Sequence, residues 1–263
     1  MKNRIITALF LFVICSTSLV FFPVALLIWA FTRPFDRRLR LLHQFTCFWG
    51  AFYTYIMPAW PVVIEGRERL TGDATRIFIS NHQSQLDILV LFRLYTHFKW
   101  VSKSEIFRLP LIGWNMVLNR YIKLKRGDRK SVARMMADAA RKLKEGSSVF
   151  MFPEGSRSPD GTLKTFKPGA FILAKQLRLP ILPVIIEGTR KALPKYSINF
   201  HGRHPIRVRV LPERSYESFA DKSVEAIMED LWRYLNGELL RLKEEMYEER
   251  QVAEPIRQKT FGV

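Results

Sequence analysis

From Ile5 to Phe31 the chain runs through 27 positions without a charged residue. No other feature narrows the fold as much. At about 1.5 Å per residue, a helix of this length reaches roughly 40 Å, enough to cross a hydrocarbon core of about 30 Å with some tilt. A cleaved leader would have an apolar region of only about 7–15 residues, followed by small residues. Here Trp29, Ala30 and Phe31 lead straight toward Arg33, Arg37, Arg38 and Arg40, a basic cluster suited to a headgroup surface. Pro23 lies inside the run, so a full crossing and a re-entrant path within one leaflet both stay open.

A second uncharged run, Leu41 to Ile64, carries Phe45, Phe48, Trp49, Phe52, Tyr53, Tyr55 and Trp60, and Pro58 and Pro61 close it. Aromatic rings among scattered polar groups predict a second membrane-associated helix lying partly in the interface. A helix buried in the core of the next domain is the alternative. The expected division is therefore membrane-associated helices over 1–61 and one folded domain over 62–263.

Beyond residue 61 short β-rich runs alternate with amphipathic stretches. Strands are expected at Val62–Glu65, Arg76–Ser80, Lys99–Ser102, Tyr121–Leu124, Ser148–Phe152, Ile181–Ile186 and Ile206–Leu211. Helices are expected at Gln85–Tyr95, Arg129–Lys144, Gly169–Leu177 and Ser223–Tyr247. Within Arg129–Lys144 the residues Val132, Met135, Met136, Ala139, Ala140 and Leu143 recur at helical spacing, which assigns the Met pair to packing. The alternation predicts an α/β fold: a mixed, largely parallel sheet flanked by helices and preceded by N-terminal membrane-associated helices.

Charge restricts the partners. Lys and Arg number 42 against 24 Asp and Glu, a net charge of +18. Residues 217–250 hold ten acidic and five basic residues, so the positive excess lies in front of them. Such a balance suits anionic partners: a phospholipid surface, a phosphorylated substrate or nucleic acid. The long apolar run, the lack of a nucleic-acid motif and the scatter of the basic residues speak against nucleic acid. Cys15 and Cys47 are the only cysteines, so neither a disulfide framework nor a zinc or iron–sulfur ligand set is expected.

Two segments carry chemistry. Ile77–Ser80 followed by Asn81, His82, Gln83, Ser84, Gln85, Leu86 and Asp87 reads as a strand, a polar turn and a helix start. On one regular helix a spacing of five separates two side chains by about 140°, so His82 and Asp87 would not meet. They meet if His82 lies in the turn and Asp87 at the third helical position behind a Ser84 cap. The carboxylate then fixes one imidazole nitrogen and leaves the other as a general base. A plain capping box beside a surface histidine is the other reading.

The second segment, Phe150 to Ser158, ends an apolar strand in Phe152-Pro153-Glu154-Gly155-Ser156-Arg157-Ser158. Gly155 permits a tight turn, and Arg157 offers a planar fork for phosphate. A surface loop with an Arg–Glu pair is the alternative. Lys103 and Arg126 follow other strands and read, each alone, as solvated charges. No Gly-x-Ser-x-Gly elbow supports a covalent serine route.

Together these residues resemble the glycerolipid acyltransferase family, the group that includes bacterial 1-acylglycerol-3-phosphate acyltransferases. Four blocks carry the resemblance, in order, over about residues 62–211. They are His82 with Asp87, Arg126 after a strand, the Phe152–Ser158 block with Ser156 where Thr is common, and Leu182-Pro183-Val184. The second block, Lys123 to Arg126, is more basic than usual. Lys103 fits a lysine that the family often places after the first block.

The resemblance implies transfer of a fatty acyl group from acyl-CoA or acyl carrier protein to a lysophospholipid hydroxyl. It implies His82 and Asp87 as the catalytic pair and Lys103, Arg126, Glu154, Gly155, Ser156 and Arg157 around the acceptor. Neither metal nor cofactor is required. It implies a bacterial inner membrane with the domain on the cytoplasmic side. Another lysolipid acceptor, or a catalytically silent lipid-binding scaffold, are the alternatives.

Overall fold

The computed structural model describes residues 2–197 and 202–260. Its centre is β2 (Ile77–Ser80), buried at every position as strands covered on both faces are. Beside it run β1 (Val62–Glu65), β3 (Phe98–Lys103), β4 (Ile122–Leu124), β5 (Ser148–Met151), β6 (Ile181–Glu187) and β7 (Ile206–Val210). The order across the sheet is β1-β7-β6-β2-β5-β3-β4. All neighbours are parallel except β6 and β7, which gives the mixed, largely parallel sheet expected from sequence.

Alternation along each strand splits the core in two. Phe78, Phe98, Trp100, Phe150 and Leu182 point to one face, and Ile77, Ile79, Val149, Met151 and Ile181 to the other. Over the second face pack α5 (Arg129–Lys144), α6 (Gly169–Leu177) and α8 (Val224–Thr260). The Asp128 carboxylate caps α5 by accepting from the Ser131 N–H at 3.0 Å, and Gly146 ends the turn behind it with φ of 80°. Met135 is buried here as the spacing required. Ile227, Leu231, Leu235, Leu239, Leu242 and Met246 form one stripe of α8. α8 extends past the expected end at Tyr247, since neither Gly nor Pro interrupts residues 238–254.

Over the first face lie α1 (Lys2–Thr32), α2 (Arg40–Tyr55) and α3 (Leu86–Leu91), with α4 (Ile112–Leu118) beside α1. α1 is a single helix through Pro23 and is long and apolar enough to cross a membrane. Phe10 packs edge-on against Tyr53 and Trp60, Phe21 against Phe45, Trp49 and Phe52, and Phe22 against Trp114. Where the sequence predicted an interfacial α2, the structure buries Leu42, Cys47, Trp49 and Tyr53 in one core with Phe78 and Phe98. The alternative, a core helix, describes that inner face; Leu41, Phe48 and Tyr55 remain outside. Packing is therefore continuous across residue 61.

The expected helix Gln85–Tyr95 is shorter. α3 tightens into a single turn at Phe92–Leu94, and Tyr95, with φ of 52°, closes it by donating its N–H to Phe92 at 3.1 Å. A final short helix, α7 (Thr189–Ala192), follows β6.

Candidate active site

The two segments singled out by sequence meet at the carboxyl ends of β2 and β5, where an open α/β sheet gathers its reactive groups. Asn81 extends β2 by one step. Its amide donates to the Ile186 carbonyl and accepts from the Ile186 N–H, both at 2.9 Å, so the side chain stands in for a strand pair. The chain then turns, which puts His82 in the turn and Asp87 in the first turn of α3.

Asp87 Oδ2 lies 2.8 Å from His82 Nδ1, 2.7 Å from the Gln83 N–H and 2.9 Å from the Ser84 N–H. The carboxylate reaches back to the Ser84 N–H as in a capping box and also holds the imidazole, and His82 is buried, not a surface residue. A carboxylate oxygen accepts, so Nδ1 carries the proton and Nε2 keeps its lone pair. Asp87 is fully buried. His82 stacks on Phe152 with ring centres 4.0 Å apart, and Phe152 stacks in turn on Trp100 at 5.6 Å. These two planes fix the ring's tilt as Asp87 fixes its rotation.

The backbone of His82 is tied to the second segment. Its N–H donates to Glu154 Oε1 at 2.7 Å, and its carbonyl accepts from the Ser158 N–H at 2.7 Å. The other Glu154 oxygen accepts from the Lys164 N–H at 3.0 Å. Glu154 is only 4% exposed, and burial pushes its carboxyl up to about 7. The resemblance implied a substrate contact for Glu154, Gly155 and Ser156, but none of them lines the cavity below His82. Gly155, with φ of 70°, makes the turn, and Ser156 Oγ accepts from Lys164 Nζ at 2.6 Å. These residues hold the loop that holds His82. The two Glu154 oxygens thus accept one backbone N–H each, from His82 and from Lys164.

Below His82 opens a cavity of about 360 Å³. Its walls are mostly apolar: Trp49, Leu89, Phe92, Trp100, Ile112 and Met116. Three of the expected cations, Lys103, Arg126 and Arg157, line it with His82. Arg157 is half-buried, and Lys103 also pairs with Glu105 at 3.3 Å. Phe152, Trp100 and the wall from α2 were missed as site residues. The aromatic position just ahead of the Pro-Glu-Gly turn was the available signal, since a strand-end ring faces the turn beside it.

A histidine held by a buried carboxylate thus stands in an α/β fold at a mostly apolar cavity that three cations also line. Residues 61–187 match the family model described as Acyltransferase. A chloroplastic 1-acyl-sn-glycerol-3-phosphate acyltransferase of Brassica napus is 38% identical over 193 residues, covering 73% of this chain and 55% of the relative. One from Arabidopsis thaliana is 37% identical over 203 residues, covering 76% and 56%. The chain thus spans little more than half the length of these curated relatives. The crystal structure of the 1-acyl-sn-glycerophosphate (LPA) acyltransferase PlsC from Thermotoga maritima superposes with a TM-score of 0.72 over 94% of this chain and 96% of that one, at 24% identity. The fold is shared.

Proposed function

We propose that the protein transfers a fatty acyl group from a thioester to the free hydroxyl of a lysophospholipid, with 1-acylglycerol-3-phosphate as acceptor and phosphatidic acid as product. The observation that carries this reading is the 2.8 Å bond between His82 Nδ1 and Asp87 at the top of an apolar cavity. The names of the relatives supply the acceptor.

His82 Nε2 takes the proton from the acceptor hydroxyl as its oxygen attacks the thioester carbonyl carbon. The C–O bond forms, the C–S bond breaks, and the leaving thiolate receives the proton from His82. Asp87 stabilises the imidazolium between these steps. Arg157 and Arg126, with Lys103, hold the acceptor phosphate, and the cavity takes an acyl chain. No cofactor enters. The donor is acyl-CoA or acyl carrier protein. Both are cytoplasmic, which places the domain on that face of a bacterial inner membrane, with α1 in the lipid.

A catalytically silent lipid binder would use the cavity but has no need of an oriented imidazole. Product analysis decides. Purified protein in vesicles is given lysophosphatidic acid, lysophosphatidylcholine or lysophosphatidylethanolamine, each with acyl-CoA and with acyl carrier protein. Phosphatidic acid is the expected product. Absence of any acylated product with every pair would overturn the enzyme reading.

A further inference from the structure

Asp87 holds His82 with one oxygen only. Oδ2 accepts from His82 Nδ1, the Gln83 N–H and the Ser84 N–H, while Oδ1 is buried with no donor among the described residues. The place of that oxygen therefore follows the backbone of Gln83 and Ser84. Both residues reach across with their side chains to the segment behind β6. Ser84 Oγ donates to the Leu193 carbonyl at 2.7 Å. Gln83 Nε2 donates to the Ile186 carbonyl and to Glu187 Oε2, both at 3.0 Å. Gln83 and Glu187 are buried, so these bonds are made away from water, where each is stronger and its loss is felt more. The amide can be seated only one way round. The Ile186 carbonyl accepts and cannot donate, so Nε2 must face it, and Oε1 is left buried with no donor among the described residues. The receiving segment is itself fixed: Gly188 turns the chain with φ of 96°, and a Cβ added there would lie 2.2 Å from the Pro205 carbonyl oxygen.

We propose that Gln83 and Glu187 are a positioning pair for His82 and Asp87. The Gln83 amide, clasped between Ile186 and Glu187, fixes the Gln83 backbone, and that backbone N–H fixes the Asp87 oxygen that orients the imidazole. Neither residue lines the cavity, so both act through Asp87 and not on a substrate. As a role in turnover this rests on acyl transfer at His82, whereas the orientation of the ring is a property that needs no turnover.

Four proteins in one vesicle assay test it: the native chain, Gln83→Glu, Glu187→Gln and the double exchange. Gln83→Glu keeps the shape of the side chain, removes its N–H donor and sets a carboxylate against Glu187. It is expected to lower kcat at least tenfold and to leave KM for donor and acceptor within twofold. Glu187→Gln leaves a weaker, neutral acceptor, and a loss of a few-fold is expected. In the double exchange the amide at position 187 donates to the carboxylate at position 83, and kcat is expected to recover at least fivefold over Gln83→Glu. An equal loss from Gln83→Glu with and without Glu187→Gln would give Gln83 a packing role and overturn the pair. So would a change confined to KM, or no change. Gln83→Met removes the amide without adding charge and serves where Gln83→Glu does not fold; a kcat within twofold of the native chain would then overturn the pair. The ring is also read directly. Histidine nitrogens are isotope-labelled for NMR, and His82 is assigned by its loss in His82→Ala. The neutral imidazole is expected as the Nδ1–H form in the native chain and as a mixture of both tautomers in Gln83→Glu. A ring unchanged by Gln83→Glu would overturn the proposal with or without turnover. A native chain that shows the expected ring and no turnover would overturn acyl transfer and leave the positioning pair standing.

Discussion

The two faces of one sheet are covered in opposite ways. Over the face of Ile77 and Val149, α5 and α8 bury an apolar stripe and turn charge to water. Glu229 and Arg233 pair along the outside of α8, and Asp138 and Arg141 along α5. Over the face of Phe78 and Phe150, α1 also buries a stripe, but its outside is Ile5, Leu9, Phe12, Leu19, Val20 and Phe31. The inner halves of both layers obey the same packing rules. Only the outer halves differ: one is charged and the other apolar. The active site lies at the rim between the two, with its cavity under the lipid-type layer.

Removing His82 sharpens this contrast most, because it stops chemistry while leaving both layers in place. His82→Ala is expected to lower turnover by about 10²–10⁴-fold or more, with expression and membrane location unchanged. Asp87→Asn should lose most of the activity, since an amide mis-sets the imidazole tautomer. Near-normal turnover in His82→Ala would sink the general-base role.

Next in size is a pair of core and surface truncations. Phe171→Ala, fully buried on the inner side of α6, is expected to cost about 3–5 kcal/mol in a melt of the detergent-solubilised protein. Phe12→Ala, 67% exposed on α1, should leave the melt unchanged and weaken retention in vesicles. If both variants behave alike, the two layers do not face different solvents.

Arg157 should give a smaller effect. Charge-assisted hydrogen bonds are worth about 1.5–3 kcal/mol, so Arg157→Ala is expected to reduce kcat/KM for a phosphate-bearing acceptor by about ten- to a hundredfold. Arg157→Lys should recover part of that, as an ammonium lacks the planar fork. A neutral monoacylglycerol should be affected far less; equal losses would give Arg157 a structural or donor-binding role.

The last effect concerns the rim. Glu154 holds its proton up to about 7 against an ordinary 4.5. Between these values the folded state keeps a proton that the unfolded chain releases. Its contribution is complete below about 4.5 and is lost as pH rises to about 7. Stability should therefore fall across that window, and Glu154→Gln should flatten the slope, read from melts in a pH series. An unaltered slope would assign the dependence to other groups.

Much of this was legible from local pattern. α5 and α6 begin and end where periodicity and capping put them, and His82 met Asp87 because a cap and a turn are short-range devices. What stayed hidden joins distant residues. Nothing near His82 announces that Glu154 and Ser158, more than seventy positions on, hold its backbone. The stacking of His82 on Phe152 depends on β2 and β5 being neighbours, which the order of strands in sequence does not state. α4 escaped because seven residues are too few for a period. Its place rests instead on Gly113, where an added Cβ would lie 2.6 Å from the Ile106 carbonyl oxygen. For α2 composition leaves interface and core side by side: its rings are apolar enough for either, and only the packing shows which of them turn inward.

The grip of α1 on the domain bears on how this protein can be handled and how it can change. Phe10, Phe21 and Phe22 are keyed to particular partners on α2, on α4 and at Trp60. An anchor that only had to be greasy could be exchanged for any other greasy helix, or cut off to leave a soluble enzyme. This one carries shape information on its inner stripe, so a truncated form would bare Trp49, Tyr53 and Trp60, and a generic replacement would fit them badly. Substitutions that look silent on a hydropathy plot, Phe21 to Leu among them, are thus constrained on one side of the helix and free on the other.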